Sequence, residues 1–290
     1  MKPAPLKYIA ATSLAHALAL KAEHGDEANF LAGGQSLVPT MNFRLAQPAV
    51  LIDINPLSEL SSVKRENGKT MRIGALTRYR LLERDPLVAE TMPLMHEALP
   101  HIAHPQIRNR GTLGGNLAHA DPASEMPAIV IALGGRLRAQ SVNGERWIEA
   151  RDFFIAPLTT ALQTDEMLVE IELPTRAQGS GSCFMEIARR RGDFAMAGIA
   201  VTLNLGKGGL CTGLRIALCG AGETPVDASD AASGLIGQAV DEAAIEATSA
   251  AVQASIDPPR NMQASPEFQR HLVGVLVKRA LRTALERCAP

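Results

Sequence analysis

Two glycine pairs constrain this chain more than any other feature: Gly33-Gly34 in FLAGGQSLVPT (residues 30–40) and Gly114-Gly115 in GTLGGNLAHADPASE (residues 111–125). Glycine reaches positive φ freely and carries no Cβ, so a bare pair marks a tight turn or a place where backbone must come close to something else. Successive N–H groups in such a turn form a concavity that holds an anion, and a helix starting behind it adds a favourable dipole. The run Ala32-Gly33-Gly34-Gln35-Ser36 follows a short apolar strand, and Gly111-Thr112-Leu113-Gly114-Gly115-Asn116 lies between helical and extended segments. Ser36, Thr112 and Asn116 add side-chain donors. One glycine pair alone reads as a plain turn. Two pairs flanked in this way suit a ligand with two anionic groups, such as a diphosphate gripped from both sides.

Other nucleotide signatures fail on inspection. Gly220-Ala221-Gly222 is followed by Glu223, Thr224 and Pro225, so there is no GxGxxG. The run from Glu66 to Thr70 ends like a P-loop, but Val63 stands where the first glycine belongs. A doubly wound dinucleotide domain and a P-loop ATPase are both disfavoured.

A chain of 290 residues has room for two or three domains with real cores. Its net charge of −1 gives no electrostatic case for nucleic acid or an anionic membrane. The first ten residues lack a basic, apolar signal segment, and no apolar run reaches the roughly 18 residues of a membrane span. Together these predict a cytoplasmic protein. Cys183, Cys211, Cys219 and Cys288 are scattered, so neither a zinc site nor an iron–sulfur cluster is expected, and buried, reduced thiols are. No metal ligand set is assigned.

Periodicity predicts an α/β rhythm at the start: a helix from Leu14 capped by Thr12 or Ser13 and stopped by Gly25, with strands at 28–32 and 50–54. A strand at 71–76 follows, then a helix at 78–84 capped by Thr77, and broken helix from Pro86 to about Pro100. Pro122 fits a first helical turn before apolar helix at 126–133, with strands at 136–141, 145–149 and 167–173. Residues 174–181, PTRAQGSG, read as a linker. Beyond it come strands at 183–188, 195–205 and 214–219, then amphipathic helices at 241–256 and 266–287.

Asp121 and Glu125 follow the second glycine motif closely. They could do acid/base work, offset a helix dipole, or accept hydrogen bonds from ligand hydroxyls or a ring N–H. His101 and His104 have no third ligand at metal spacing, and Arg189-Arg190-Arg191 reads as a solvated run ahead of Gly192-Asp193-Phe194. Nothing supplies a nucleophile or an acid/base dyad, so no catalytic residue is assigned.

Three stretches carry a resemblance: AGGQS at 32–36, HPQIRNRGTLGGNLAHADPASE at 104–125 and RRRGDFAMA at 189–197. Together with the tail SPEFQRHLVGVLVKRAL at 265–281, they resemble the FAD-binding medium subunits of molybdenum hydroxylases, of the carbon monoxide dehydrogenase medium-chain and xanthine dehydrogenase type. The resemblance implies an α+β fold. A two-lobed, vanillyl-alcohol-oxidase-type (PCMH-type) FAD-binding domain would span 1–176, with lobes of about 1–57 and 58–176. A C-terminal domain of three-stranded antiparallel sheet plus helices would span 180–290. It implies FAD extended between the lobes, held at the pyrophosphate by Leu31, Ala32, Gly33, Gly34, Gln35, Ser36 and Leu37 from one side. Gly111, Thr112, Gly114, Gly115, Asn116 and Ala118 would hold it from the other. Ile102, Ala103, Ile107 and Leu168 match apolar contacts; Ser124 and Glu125 match a polar pair contacting the cofactor, and Asp121 a further one. Where some relatives place an aromatic ring, this chain has Ile102, and it lacks a lysine that some carry near Met185 or Glu186.

The activity implied is electron transfer. A large partner subunit with a molybdenum–pterin cofactor oxidises the substrate, a small partner with [2Fe–2S] clusters relays electrons, and this subunit passes them through FAD to an external acceptor. The expected assembly is a dimer of heterotrimers. A stand-alone flavin oxidase or dehydrogenase of the same fold is the alternative.

Overall fold

Short apolar runs alternating with an amphipathic helix satisfy their backbones by pairing side by side, and the N-terminal segment does so. In the computed structural model, which describes residues 2–288, the first unit is β1 (Lys7–Ala10), α1 (Leu14–His24), β2 (Ala28–Leu31), α2 (Leu37–Asn42) and β3 (Val50–Asp53). Its strands run parallel in the order β1-β3-β2. Ser13 caps α1 by accepting the His16 N–H at 3.1 Å, and Ala17 and Leu18 pack on Ile52 beneath the sheet. Two elements escaped periodicity. β1 is an edge strand whose residues are mostly exposed, so it has no apolar alternation to read. α2 holds Pro39 in its first turn, where the missing N–H needs no partner.

The second unit opens with β4 (Val63–Glu66) and β5 (Thr70–Gly74) and continues through six helices. These are α3 (Tyr79–Arg84), α4 (Pro86–Thr91), α5 (Pro93–Ala98), α6 (Pro105–Arg110), α7 (Leu113–His119) and α8 (Glu125–Leu133). Proline starts α4, α5 and α6, which is why the helical region comes in pieces. Next come β6 (Arg136–Ser141), β7 (Gly144–Glu149), α9 (Ala150–Phe153), β8 (Phe154–Ala156), β9 (Thr159–Thr160) and β10 (Met167–Pro174). The sheet order is β4-β5-β10-β6-β7, all antiparallel, with β8 and β9 as a separate hairpin. Two local expectations change. Thr77 does not cap α3; its hydroxyl donates to the Ser62 carbonyl at 3.2 Å, and Arg78 is the flanking residue. Pro122 lies ahead of α8, which begins at Glu125.

The chain then builds β11 (Ser180–Ala188), β12 (Ala195–Leu205), β13 (Cys211–Cys219) and β14 (Val226–Asp227), followed by α10 (Glu242–Ser255) and α11 (Pro266–Glu286). The two-residue β14 adds an edge to the three expected strands. Alternation sorts this sheet by size. Ile199, Val201, Leu203, Ile216 and Leu218 join the core with α10 and α11, whereas Ala200, Ala217 and Cys219 join the core that contains α8. Small residues on that face let α8 lie close to β12 and β13. α8 is therefore buried from Glu125 to Ala132.

Candidate functional site

The two glycine motifs meet. A Cβ at Gly33 would sit 2.7 Å from the Arg110 carbonyl oxygen and 2.9 Å from the Gly111 Cα, so the first turn lies directly on the second. Above this seam opens a cavity of about 620 Å³ that reaches from Asn29 and Phe30 in the first unit to Gly192, Asp193 and Phe194 beside the third sheet. Of the residues expected to contact the cofactor, every one but Leu31 lines it. Leu31 is spent on structure: its carbonyl accepts from the Ile54 N–H at 3.1 Å and from Asn55 Nδ2 at 3.2 Å.

The first motif is built to present donors. Its carbonyls point back into the protein, where Asn55 Nδ2 donates to the Ala32 carbonyl at 2.9 Å and Gln35 Nε2 to that of Gly33 at 3.0 Å. The N–H groups of Gly33, Gly34, Gln35 and Ser36 donate to no protein acceptor among the described residues. Gly34 holds φ at +71°, the left-handed conformation that makes this inversion possible. Arg78 fastens the two motifs together, donating to Asn55 Oδ1 on one side and to the Arg110 carbonyl on the other.

The second motif works differently from the expected loop. Gly114 and Gly115 lie inside α7, and their amides are already engaged. Leu113 donates to the Thr77 carbonyl at 3.0 Å, Gly114 to Ala75 at 2.9 Å, Gly115 to Thr112 Oγ1 at 3.1 Å and Asn116 to the Thr112 carbonyl at 3.1 Å. Gly114 is bare because α7 presses on β5: its Cβ would stand 2.7 Å from the Ala75 carbonyl oxygen. Gly115 is bare because its Cβ would strike Thr112 Oγ1 at 2.6 Å. This side of the cavity therefore offers side chains, not a bracelet of free amides. Asn116 Nδ2 donates to Ser124 Oγ at 3.0 Å, and Asn116 Oδ1 is buried with no partner.

Beyond Asn116 the floor becomes acidic. Asp121 Oδ1 accepts the Ala123 N–H at 2.9 Å and shapes the turn into α8. Ser124 and Glu125 are both buried. Burial pushes the Glu125 carboxyl up to about 8, with Glu186 and Asp121 adding in the same direction. His101, instead of joining His104, sits across the seam with Nδ1 3.1 Å from Glu186 Oε1.

At the other end, Arg108 is buried and donates to the Ile102 carbonyl at 3.0 Å while pairing with Glu83, which braces the turn that carries Ile102 and Ala103. Ala103 adopts a φ of +42°, unusual for a residue with a Cβ and of the kind that gathers at functional sites. Sequence reading missed several lining residues: Tyr79, His119, Leu158, Leu162 and Phe194. Phe194 was the one within reach, since it closes the RRRGDF stretch and is 56% exposed, an odd state for a phenylalanine outside a binding surface.

These features fit a flavin dinucleotide. Four free amides suit a diphosphate. The orphaned Asn116 oxygen and the buried Glu125 carboxyl suit hydroxyl or N–H partners, and Ile102, Leu168 and Phe194 suit a flat ring. Comparison with known proteins points the same way. Residues 4–176 match the FAD binding domain in molybdopterin dehydrogenase, and residues 182–284 the CO dehydrogenase flavoprotein C-terminal domain. The chain is 39% identical over 290 residues to the 6-hydroxypseudooxynicotine dehydrogenase complex subunit alpha of Paenarthrobacter nicotinovorans, covering 100% of this chain and 98% of that protein. It is 41% identical over 288 residues to caffeine dehydrogenase subunit beta of Pseudomonas sp. (strain CBB1), covering 99% and 97%. Its fold superposes on a chain of carbon monoxide dehydrogenase from Hydrogenophaga pseudoflava with a TM-score of 0.97 at 39% identity, each covered in full.

Proposed function

Because the chain belongs to the FAD-binding medium subunits of molybdenum hydroxylases, oxidoreductases whose molybdenum and iron–sulfur centres sit on other subunits, we propose that it carries electrons between those centres and an external acceptor. Bound FAD supplies the redox chemistry, since a flavin takes and gives electrons singly or in pairs. The protein's part is to bind, orient and shield. On this reading Gly33 to Ser36 hold the diphosphate through their amides, and Thr112, Asn116, Ser124 and Glu125 meet the polar edge of the cofactor. Ile102, Leu168 and Phe194 flank its ring, and Ala103 and Ile107 close the rim.

The observation that carries this reading is the row of unsatisfied amides on the first motif, which lines the same cavity as the orphaned Asn116 oxygen. The donor of the electrons would be the [2Fe–2S] subunit of a heterotrimer, two of which pair in the complete enzyme. The relatives are named as subunits of a 6-hydroxypseudooxynicotine dehydrogenase complex, a caffeine dehydrogenase and a carbon monoxide dehydrogenase; on the reading proposed, the substrate is set by the large subunit and not by this chain. The division into units at 1–176 and 180–290 follows the sheet boundaries, with β10 ending at Pro174 and β11 starting at Ser180. Four buried, unpaired thiols suit a reducing compartment, in keeping with a place in the cytoplasm. No helix among the described residues is long and apolar enough to cross a membrane.

The test is co-expression with the two partner subunits. The purified complex should contain one FAD per copy of this chain, and its visible flavin bands should bleach when substrate is added anaerobically and return with acceptor. A complex that turns over substrate with no flavin bound would overturn the proposal.

A further inference from the structure

Glu125 and the side chain of Glu186, both buried, form with the partly exposed His101 a cluster that the electron-carrier role does not by itself require. Three parts of the chain meet there: the turn ahead of α6 brings His101, α8 brings Glu125 and β11 brings Glu186. The Glu186 side chain is 5% exposed, and its second oxygen has no partner among the described residues. Glu125 borders the cavity, is 7% exposed and has no ion-pair partner among the described residues.

Charge counting limits what such a cluster can hold. A buried carboxylate needs a counter-charge or it takes up a proton. One imidazolium balances one carboxylate. The hydrogen bond to Glu186 raises His101 above its ordinary value, and the two share the ion pair. The other groups around Glu125 are Asp121 from the preceding turn, Tyr79 from α3 and Cys219 from β13, none of them a cation. Arg191, from the loop after β11, acts on His101 in the opposite sense to Glu186. His101 does draw Glu125 down, but its charge is shared with Glu186, and burial together with Glu186 and Asp121 outweighs it.

We propose that Glu186, its charge only partly offset by its partner His101, is a positioning residue that keeps Glu125 protonated, so that its carboxyl presents an O–H donor to the flavin dinucleotide. This rests on the cavity being the FAD site. The consequence is that one proton on Glu125 and the cofactor bind together. Cofactor affinity must then fall when that proton leaves, although FAD itself gains nothing titratable at that pH.

The experiment titrates FAD into the full-length, flavin-free chain and follows flavin fluorescence from about pH 6 to about pH 9.5. Wild-type affinity should hold steady at neutral pH and then weaken by up to about tenfold per pH unit beyond the Glu125 midpoint near 8. Glu125→Gln, which keeps a donor but cannot ionise, should flatten the profile. Glu186→Gln removes a like charge and should move the midpoint down; His101→Gln removes the counter-cation and should move it up. The two opposed shifts guard against a misfolded single variant. A profile that keeps its slope in Glu125→Gln, or midpoints unmoved in both other variants, would overturn the proposal. Failure of the wild-type chain to bind FAD at any pH would instead overturn the cavity assignment on which it stands.

Discussion

A methyl group at position 33 would collide with main chain, not with a side chain that can swing away. The Arg110 carbonyl and the Gly111 Cα both stand inside contact distance, and both belong to the motif that must stay seated against the first. Gly33→Ala should therefore part the two motifs and weaken FAD binding at least about tenfold, read by fluorescence titration, while circular dichroism shows the fold retained. Undiminished binding would mean the contact is not part of the site. Glu125 makes a second prediction at this scale. Its carboxyl titrates near 8 in the folded chain and in the ordinary carboxylate range when unfolded. Between those values the folded state holds the extra proton, so stability is full in acid and falls as pH rises through the window. Glu125→Gln should remove that slope, making the variant more stable than wild type above about pH 8 and no more stable near pH 4 in urea unfolding.

Among the elements, α8 is the one on which the others depend. It packs on β12 and β13 through alanines, and its first turn supplies Glu125 to the cavity floor. Ala217→Leu would overfill that seam. The expected cost is about 1–3 kcal/mol in urea unfolding, accompanied by weaker FAD binding because Ser124 and Glu125 move with the helix. A fully stable variant with normal affinity would show that the seam is looser than the structure depicts. The Asn55–Arg78 brace plays the corresponding part for the first motif, since it ties the carbonyls of Leu31, Ala32 and Arg110 into one unit.

For the molecule as a whole, the second and third sheets share a core. Phe184, Ala200, Ala217 and Cys219 from the third sheet belong to the same cluster as Ile73, Ile129 and Leu137 from the second unit. Units that share a core unfold together. Calorimetry of the intact chain should accordingly show one transition across both, and saturating FAD should raise its midpoint without splitting it. Two separate transitions would mean that the linker at 175–179 divides the chain thermodynamically.

Local signals were enough for most strands, for α1, α10 and α11, and for the two glycine motifs, because alternation, capping and glycine pairs are written in neighbouring residues; the apolar and acidic members of the cavity came from the family resemblance. The exposed edge strand β1, the proline-bearing α2 and the helical setting of Gly114 and Gly115 were not, because pairing and packing partners far along the chain decide them. Tertiary structure alone showed that the first motif spends its carbonyls and frees its amides while the second spends its amides. It alone placed His101 beside Glu186 and left Glu125 without an ion-pair partner. Hydrogen-bond satisfaction and charge balance depend on what surrounds a group in space. No run of residues records that surrounding until the chain has folded.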